Sequence, residues 1–167
     1  QMADQMGSAG EYLKRIFGAF TFEGIESTLP TDTFEGEFTH RVGDKEVRFI
    51  EVGPAHTRGD VLVHDPKDGV IFTGDILFID GTPLMWEGPV ENWIRACDRI
   101  LELQPQVIVP GHGPLTDPQG VREVQRYLAF IRDESRARFD AGLSAEEAVR
   151  DIALHDFSSW LDSERIV

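Results

Sequence analysis

The middle of the chain consists of short apolar runs separated by turn residues, a pattern that predicts a β-sheet. The runs EFTHRV and EVRFIEV, joined by GDK, predict a β-hairpin. The runs VLVH, VIF and VIV are almost continuously apolar and follow one another at short intervals. Strands of that composition are typical of sheets buried on both faces. We therefore expect a sheet that is covered on both sides.

Helical patterns flank these strands. VENWIRACDRILELQP predicts a helix that Pro105 closes, and Asp117 before Pro118 is a typical helix start. Ser144 with Glu147 forms a capping box that opens a shorter helix. The predicted order is a helix, four strands in antiparallel order, a helix, a strand and terminal helices. This order indicates an α/β (α+β) fold with a mixed sheet and flanking helices.

Length, charge and cysteine content limit the number of domains, the partners and the location that we expect. The 167 residues suggest one domain, and 16 basic against 30 acidic residues give a formal net charge of −14. That charge repels phosphate backbones and anionic lipids, so we expect no nucleic-acid partner and no membrane partner. No apolar run approaches 18 residues. The single cysteine, Cys97, has the spacing of a buried helix residue and favours a reducing, cytoplasmic location.

Three of the predicted strands end in a polar residue beside glycine. His56 lies in GPAHTRGD, Asp75 in FTGD and His112 in PGHG. Each residue alone is more often an ordinary turn residue than a ligand. Together, at the ends of neighbouring strands, they are expected to share one rim of the sheet. Imidazole and carboxylate donors suit zinc or iron, and the adjacent glycines allow close backbone approach around an ion.

GPAHTRGD, FTGD and VPGHGP, in this order, resemble the last three metal-ligand motifs of the metallo-β-lactamase superfamily of metal-dependent hydrolases. The resemblance implies the C-terminal half of a four-layer αβ/βα sandwich. We expect residues 1–167 to form a single partial domain of this kind. Residues 34–117 would supply the sheet and the metal-ligand loops, and residues 118–167 the C-terminal helices.

The resemblance also implies a site and a reaction. His56 would bind one divalent ion and His112 the other, while Asp75 bridges both and holds them in register for catalysis. Zinc is the favoured metal, with iron or manganese as alternatives. A metal-bound hydroxide would attack an ester, thioester, lactone or amide-type small-molecule substrate. The motifs are closer to the glyoxalase II-like branch than to the antibiotic-degrading enzymes.

One departure from the family pattern limits this prediction. The family signature H-x-H-x-D-H is absent, and His40, His64 and His155 do not form it; we expect structural or surface roles for all three. Catalytic zinc takes about three protein ligands plus water, whereas this chain offers two per ion. The chain alone should therefore bind metal weakly or not at all and be inactive. A missing N-terminal half of the domain, or another chain, would complete the site of the full-length enzyme.

Two alternatives stay open. The chain is either a hydrolase portion or a non-catalytic fragment or binding module that kept the fold and lost the metal site. A half-sandwich that exposes a bare sheet face could also self-associate as a homo-oligomer.

For two residues near the motifs the sequence leaves two roles open. Trp86, in the irregular segment after Asp75, is expected to pack rather than to border a substrate pocket. Arg58 has an ordinary loop role as its default, with contact to the site as the alternative.

Overall fold

A five-stranded mixed sheet organises the larger part of the chain. The computed structural model describes residues 7–26 and 28–163. The strands are β1 (Glu37–Val42), β2 (Lys45–Glu51), β3 (Val61–Asp65), β4 (Val70–Phe72) and β5 (Val107–Val109). They lie in sequence order across the sheet, with β1 to β4 antiparallel and β5 parallel to β4. The predicted antiparallel arrangement of the first four strands is confirmed.

The turn chemistry explains this topology. The β1–β2 hairpin turns through Gly43 and Asp44, and Gly43 has a φ of 63°, which favours glycine. Between β3 and β4, the Asp65 carboxylate accepts the backbone N–H groups of Lys67 and Asp68. Parallel strands need a crossover connection, and a helix between β4 and β5 provides it.

Three of the helices, α2, α3 and α4 in the list that follows, begin where the sequence predicts. They are α1 (Gly7–Phe17), α2 (Val90–Glu102), α3 (Pro118–Asp140) and α4 (Ala145–Asp151), with 3₁₀ turns at Gly74–Ile76 and His155–Ser159. The Asp117 carboxylate accepts the N–H groups of Gln119 at 2.7 Å and Gly120 at 3.2 Å, which confirms the cap. The capping box of Ser144 and Glu147 is also present. The last four residues of the chain lie outside the described residues.

The core lies between α2, α3 and one face of the sheet. The inner face of the sheet contributes Ile50, Leu62, Ile71 and Ile108, all nearly or completely buried. They form one cluster with the buried residues of the helices, which include Trp93, Cys97, Ile100, Val121, Val124 and Leu128. Burial raises the pKa of the Cys97 thiol to about 12, so this side chain acts as a small apolar core residue, as predicted.

The other sheet face has no covering layer within residues 34–163, as expected for half of a sandwich, although the strand composition suits a sheet covered on both sides. A row of paired apolar residues crosses all five strands: Phe38, Phe49, Val63, Phe72 and Val109. Phe38 is 46% exposed and Phe72 48% exposed. We call this row the open sheet face. The strands have the composition of doubly covered strands, but within residues 34–163 no second layer packs on this face.

The chain divides into two compact units, residues 1–33 and 34–167. In the described part of the first unit, α1 is followed by turns in which Phe17 makes edge contacts with Phe20 and Phe22. The second unit contains the sheet and the remaining helices. That residues 1–167 form one partial domain therefore stays a prediction. No helix in the described ranges is long and apolar enough to cross a membrane.

Candidate metal centre

The structure brings the three predicted ligands together at one edge of the sheet. His56 lies in the loop after β2, Asp75 in the 3₁₀ turn after β4, and His112 in the loop after β5. His56 Nε2 is 3.3 Å from Asp75 Oδ2, and His112 Nε2 is 3.3 Å from Asp75 Oδ1. Asp75 therefore lies between the two imidazoles and turns one carboxylate oxygen toward each.

His56 is held by packing and by its backbone. Its ring is almost fully buried and lies 5.5 Å from the ring of Trp93 and 5.7 Å from that of Phe78, measured between centroids. Its carbonyl accepts the N–H groups of Trp86 and Glu87, both at 3.2 Å. Its Nδ1 is buried and has no hydrogen-bond partner among the described residues. These contacts fix the ring with Nε2 facing Asp75.

Gly111 allows the loop that carries His112 to pass close to the Asp75 turn. The Gly111 N–H donates to the Gly74 carbonyl at 2.9 Å and joins the two turns. A Cβ on Gly111 would lie 2.5 Å from Asp75 Oδ1 and 2.6 Å from the Gly74 carbonyl oxygen. No side chain fits in that space, so position 111 requires glycine. On the other side of the turn, the buried Trp93 indole donates to the Ile76 carbonyl at 2.8 Å.

His112 runs alongside the segment that follows Asp75. Its N–H donates to the Leu77 carbonyl at 3.3 Å, and its carbonyl accepts the Ile79 N–H at 3.0 Å. Its ring stacks on Phe78, with centroids 4.2 Å apart and planes 12° apart. The imidazole is about half exposed. Backbone pairing and stacking together direct Nε2 toward the carboxylate.

The donor set fits two divalent cations in part. Two imidazole nitrogens flank a carboxylate that offers a separate oxygen to each, and zinc and iron accept both donor types. The arrangement provides two protein donors per ion, one fewer than a catalytic zinc usually takes. In agreement, the described part of the chain contains no group of three or more His, Cys, Asp or Glu side chains able to hold an ion. The ligand roles of these three residues stay a prediction.

The other histidines lie in the elements predicted for them. His40 is exposed on β1, where its ring stacks against Phe38, and His155 begins the last 3₁₀ turn. His64 is buried within β3, and this desolvation, together with the nearby Arg48 charge, lowers the pKa of its imidazole.

The irregular segment after Asp75 contains contacts that the sequence did not predict. Trp86 is 48% exposed beside the His56 backbone, so the expectation that it packs is wrong. The Arg58 guanidinium donates to the Glu87 carboxylate at 2.9 Å and links the two loops around His56. The stacking role of Phe78 was also missed, because no periodic pattern marks residues in such a segment.

Comparison with known proteins agrees with these motifs. The sequence model of the metallo-beta-lactamase superfamily matches residues 4–112. A metallo-beta-lactamase from Pontibacter korlensis has a similar fold, with a TM-score of 0.55 and 21% sequence identity. The similarity covers 73% of this chain and 55% of that one.

Two curated relatives are similar over parts of their length. A linear primary-alkylsulfatase from Pseudomonas sp. is 25% identical over 82% of this chain and 28% of its own length. A hydroxyacylglutathione hydrolase from Cereibacter sphaeroides is 35% identical over 59% of this chain and 38% of its own length. The chain thus spans less than half the length of these curated relatives.

Proposed function

Because the chain belongs to the metallo-β-lactamase superfamily, we propose that it supplies the C-terminal portion of the two-metal site of a hydrolase. Its substrate would be a small molecule with a hydrolysable bond, such as that of an ester, thioester, lactone, amide or sulfate ester.

The position of Asp75 carries the proposal. Its two oxygens face two different imidazoles at the same distance of 3.3 Å. A carboxylate that served one histidine only would not need this symmetry. The surrounding chain favours the arrangement: Gly111 leaves no room for a side chain, and Phe78 lies against both imidazole rings.

The residues of this chain have separate tasks in the proposed site. His56 and His112 would each hold one cation, and Asp75 would bridge the pair and fix its separation. Bound divalent cations would supply the activation of water and the polarisation of the scissile group. Trp93 and Phe78 keep solvent away from His56, whereas His112 and Asp75 remain accessible for a substrate.

The substrate class is proposed from the relatives and from the charge of the chain. The named relatives are an alkylsulfatase and a hydrolase of hydroxyacylglutathione. We favour a small molecule with a linear alkyl or acyl part on one side of the scissile bond. The net charge of −14 disfavours a polyanionic substrate such as nucleic acid.

The rest of the site would come from outside these 167 residues. H-x-H-x-D-H is absent from the sequence, and the open sheet face leaves phenylalanine and valine side chains uncovered. We propose that one structural element accounts for both observations. A further N-terminal half of the domain, or another chain, would cover the open sheet face and bring the missing ligands to the rim.

Elemental analysis combined with a hydrolysis assay tests this function. The protein isolated from its source should carry about two zinc, iron or manganese ions and hydrolyse a dodecanoyl thioester or dodecyl sulfate. Asp75→Asn should abolish both metal retention and turnover, while His155→Gln, the matched control, should leave both intact. Full turnover by Asp75→Asn would contradict the proposal.

A non-catalytic role is the second candidate, and the donor count favours it. With two protein donors per ion, the chain could keep the fold without a functional metal site. A protein that carries no metal at its native length, and that binds but never hydrolyses such esters, would establish this alternative.

A further inference from the structure

A cavity that is distinct from the candidate metal centre lies between the helices. It has a volume of about 350 Å³, within the range of small-molecule pockets, and is formed by α2, α3, α4 and the segment before Trp86. Pro83, Leu84 and Met85 form one wall, and Leu128 and Ile131 of α3 form another. Ala148, Val149 and Ile152 line the side nearest α4. We call this cavity the helical pocket.

The chemistry of the helical pocket selects an apolar ligand. No Asp, Glu, Lys, Arg or His lines it. The Trp93 indole N–H, at one wall, already donates to the Ile76 carbonyl, and the Ser144 hydroxyl belongs to the capping box of α4. The Tyr127 and Ser135 hydroxyls are the other side-chain polar groups of the lining, and most of its surface is carbon, which stabilises the methylene groups of a ligand.

The pocket shares structural elements with the metal centre. Trp93 lines the pocket and also contacts the His56 ring, so a single indole separates the two sites. Met85, at the pocket, directly precedes the two residues whose N–H groups bind the His56 carbonyl. Glu87 is two residues further on, at most about 7 Å along the backbone. The pocket therefore lies within one side chain of His56.

We propose that the helical pocket binds the linear alkyl or acyl chain of the substrate and leaves the scissile group at the rim that holds His56, Asp75 and His112. The inference rests on the proposed function for the identity of the scissile group. The small volume of the helical pocket favours a single flexible hydrocarbon chain over a helix of a partner protein, which needs an extended groove.

Trp93 provides a direct probe, because the chain has only two other tryptophans, Trp86 and Trp160. A variant with Trp86→Phe and Trp160→Phe retains Trp93 fluorescence alone. Titration with 11-bromo-1-undecanol, a neutral long-chain quencher, should quench this fluorescence saturably. The short control 3-bromo-1-propanol should quench only weakly and without saturation.

Two substitutions connect the quenching to the pocket. Ala148→Leu adds three carbons inside it and should weaken binding of the long bromoalcohol at least about ten-fold. Ala137→Leu, the same change at an exposed position of α3 outside the pocket, should leave binding unchanged. Met85→Glu places a charge at the partly exposed rim and should also weaken binding, which keeps the test valid if Ala148→Leu unfolds the chain.

The outcomes separate this inference from the proposed function. Absence of saturable quenching, or equal binding by Ala148→Leu and Ala137→Leu, overturns the pocket assignment even in a protein that hydrolyses esters. A dimer in sedimentation that Ala148→Leu abolishes would also overturn it, in favour of a second copy in the pocket. Saturable quenching in a protein without metal supports the pocket and leaves the proposed function to the metal and hydrolysis assays, since the readout requires neither metal nor turnover.

Discussion

Replacing Gly111 with alanine tests how closely the Asp75 turn and the His112 loop approach each other. The added Cβ would lie 2.5 Å from Asp75 Oδ1 and 2.6 Å from two backbone atoms of Gly74. The backbone atoms cannot move aside as a flexible side chain can. Such overpacking costs about 1–3 kcal/mol, whereas glycine-to-alanine changes at unstrained positions stabilise by about 0.4–1 kcal/mol through the unfolded state. We expect Gly111→Ala to lower the free energy of unfolding by about 1–2 kcal/mol.

Urea unfolding followed by circular dichroism measures this change. The control is Gly59→Ala, in the loop that carries His56, where an added Cβ meets no atom within 4 Å and φ is outside the left-handed region. That variant should be as stable as the parent or slightly more stable. Gly111→Ala should also weaken zinc binding, because Asp75 must move. If Gly111→Ala matches Gly59→Ala in stability, the close approach inferred here is wrong.

Three further experiments test the core and the cap of α3. The neutral His64 is buried with a lowered pKa, while the unfolded chain protonates this residue near pH 6.5. The stability that neutral His64 contributes should therefore be lost as pH falls below that value. In urea unfolding, the unfolding free energy of His64→Leu should drop less between pH 7.5 and 5 than that of the parent protein. An equal drop would refute this. Asp117→Ala should cost about 1 kcal/mol of unfolding free energy, and Asp117→Asn much less, by thermal denaturation, because the cap of α3 is lost. Cys97 should react with Ellman's reagent only in urea, since its thiol is buried with a pKa of about 12; fast reaction of the native protein would contradict its core position.

Most helix starts and turns were predictable because each depends on residues only a few positions apart in the sequence. The carboxylate of Asp117 caps α3 through N–H groups two and three residues away, and the Gly43 turn fixes the β1–β2 register. The proximity of His56, Asp75 and His112 was also predictable. Strands that end in one layer place their following loops on a common edge, and a carboxylate or imidazole next to glycine marks such a loop.

Contacts between segments distant in sequence were not predictable. Phe78 stacks on His112 and Trp86 lies exposed beside His56, yet both belong to a segment without periodic pattern. The strand composition predicted two covered faces, because it records the environment for which the strands are suited. Local patterns in these strands do not specify whether a second layer covers the open sheet face.

The most direct test of the account is a zinc titration followed by NMR of the five histidine imidazoles. If His56, Asp75 and His112 form the C-terminal portion of a two-metal site, the Nε2 resonances of His56 and His112 should shift together, even at weak affinity. His40, His64 and His155 should not respond and serve as internal controls. Asp75→Asn should abolish both shifts. Zinc that perturbs the control histidines while His56 and His112 stay unchanged would contradict the central claim.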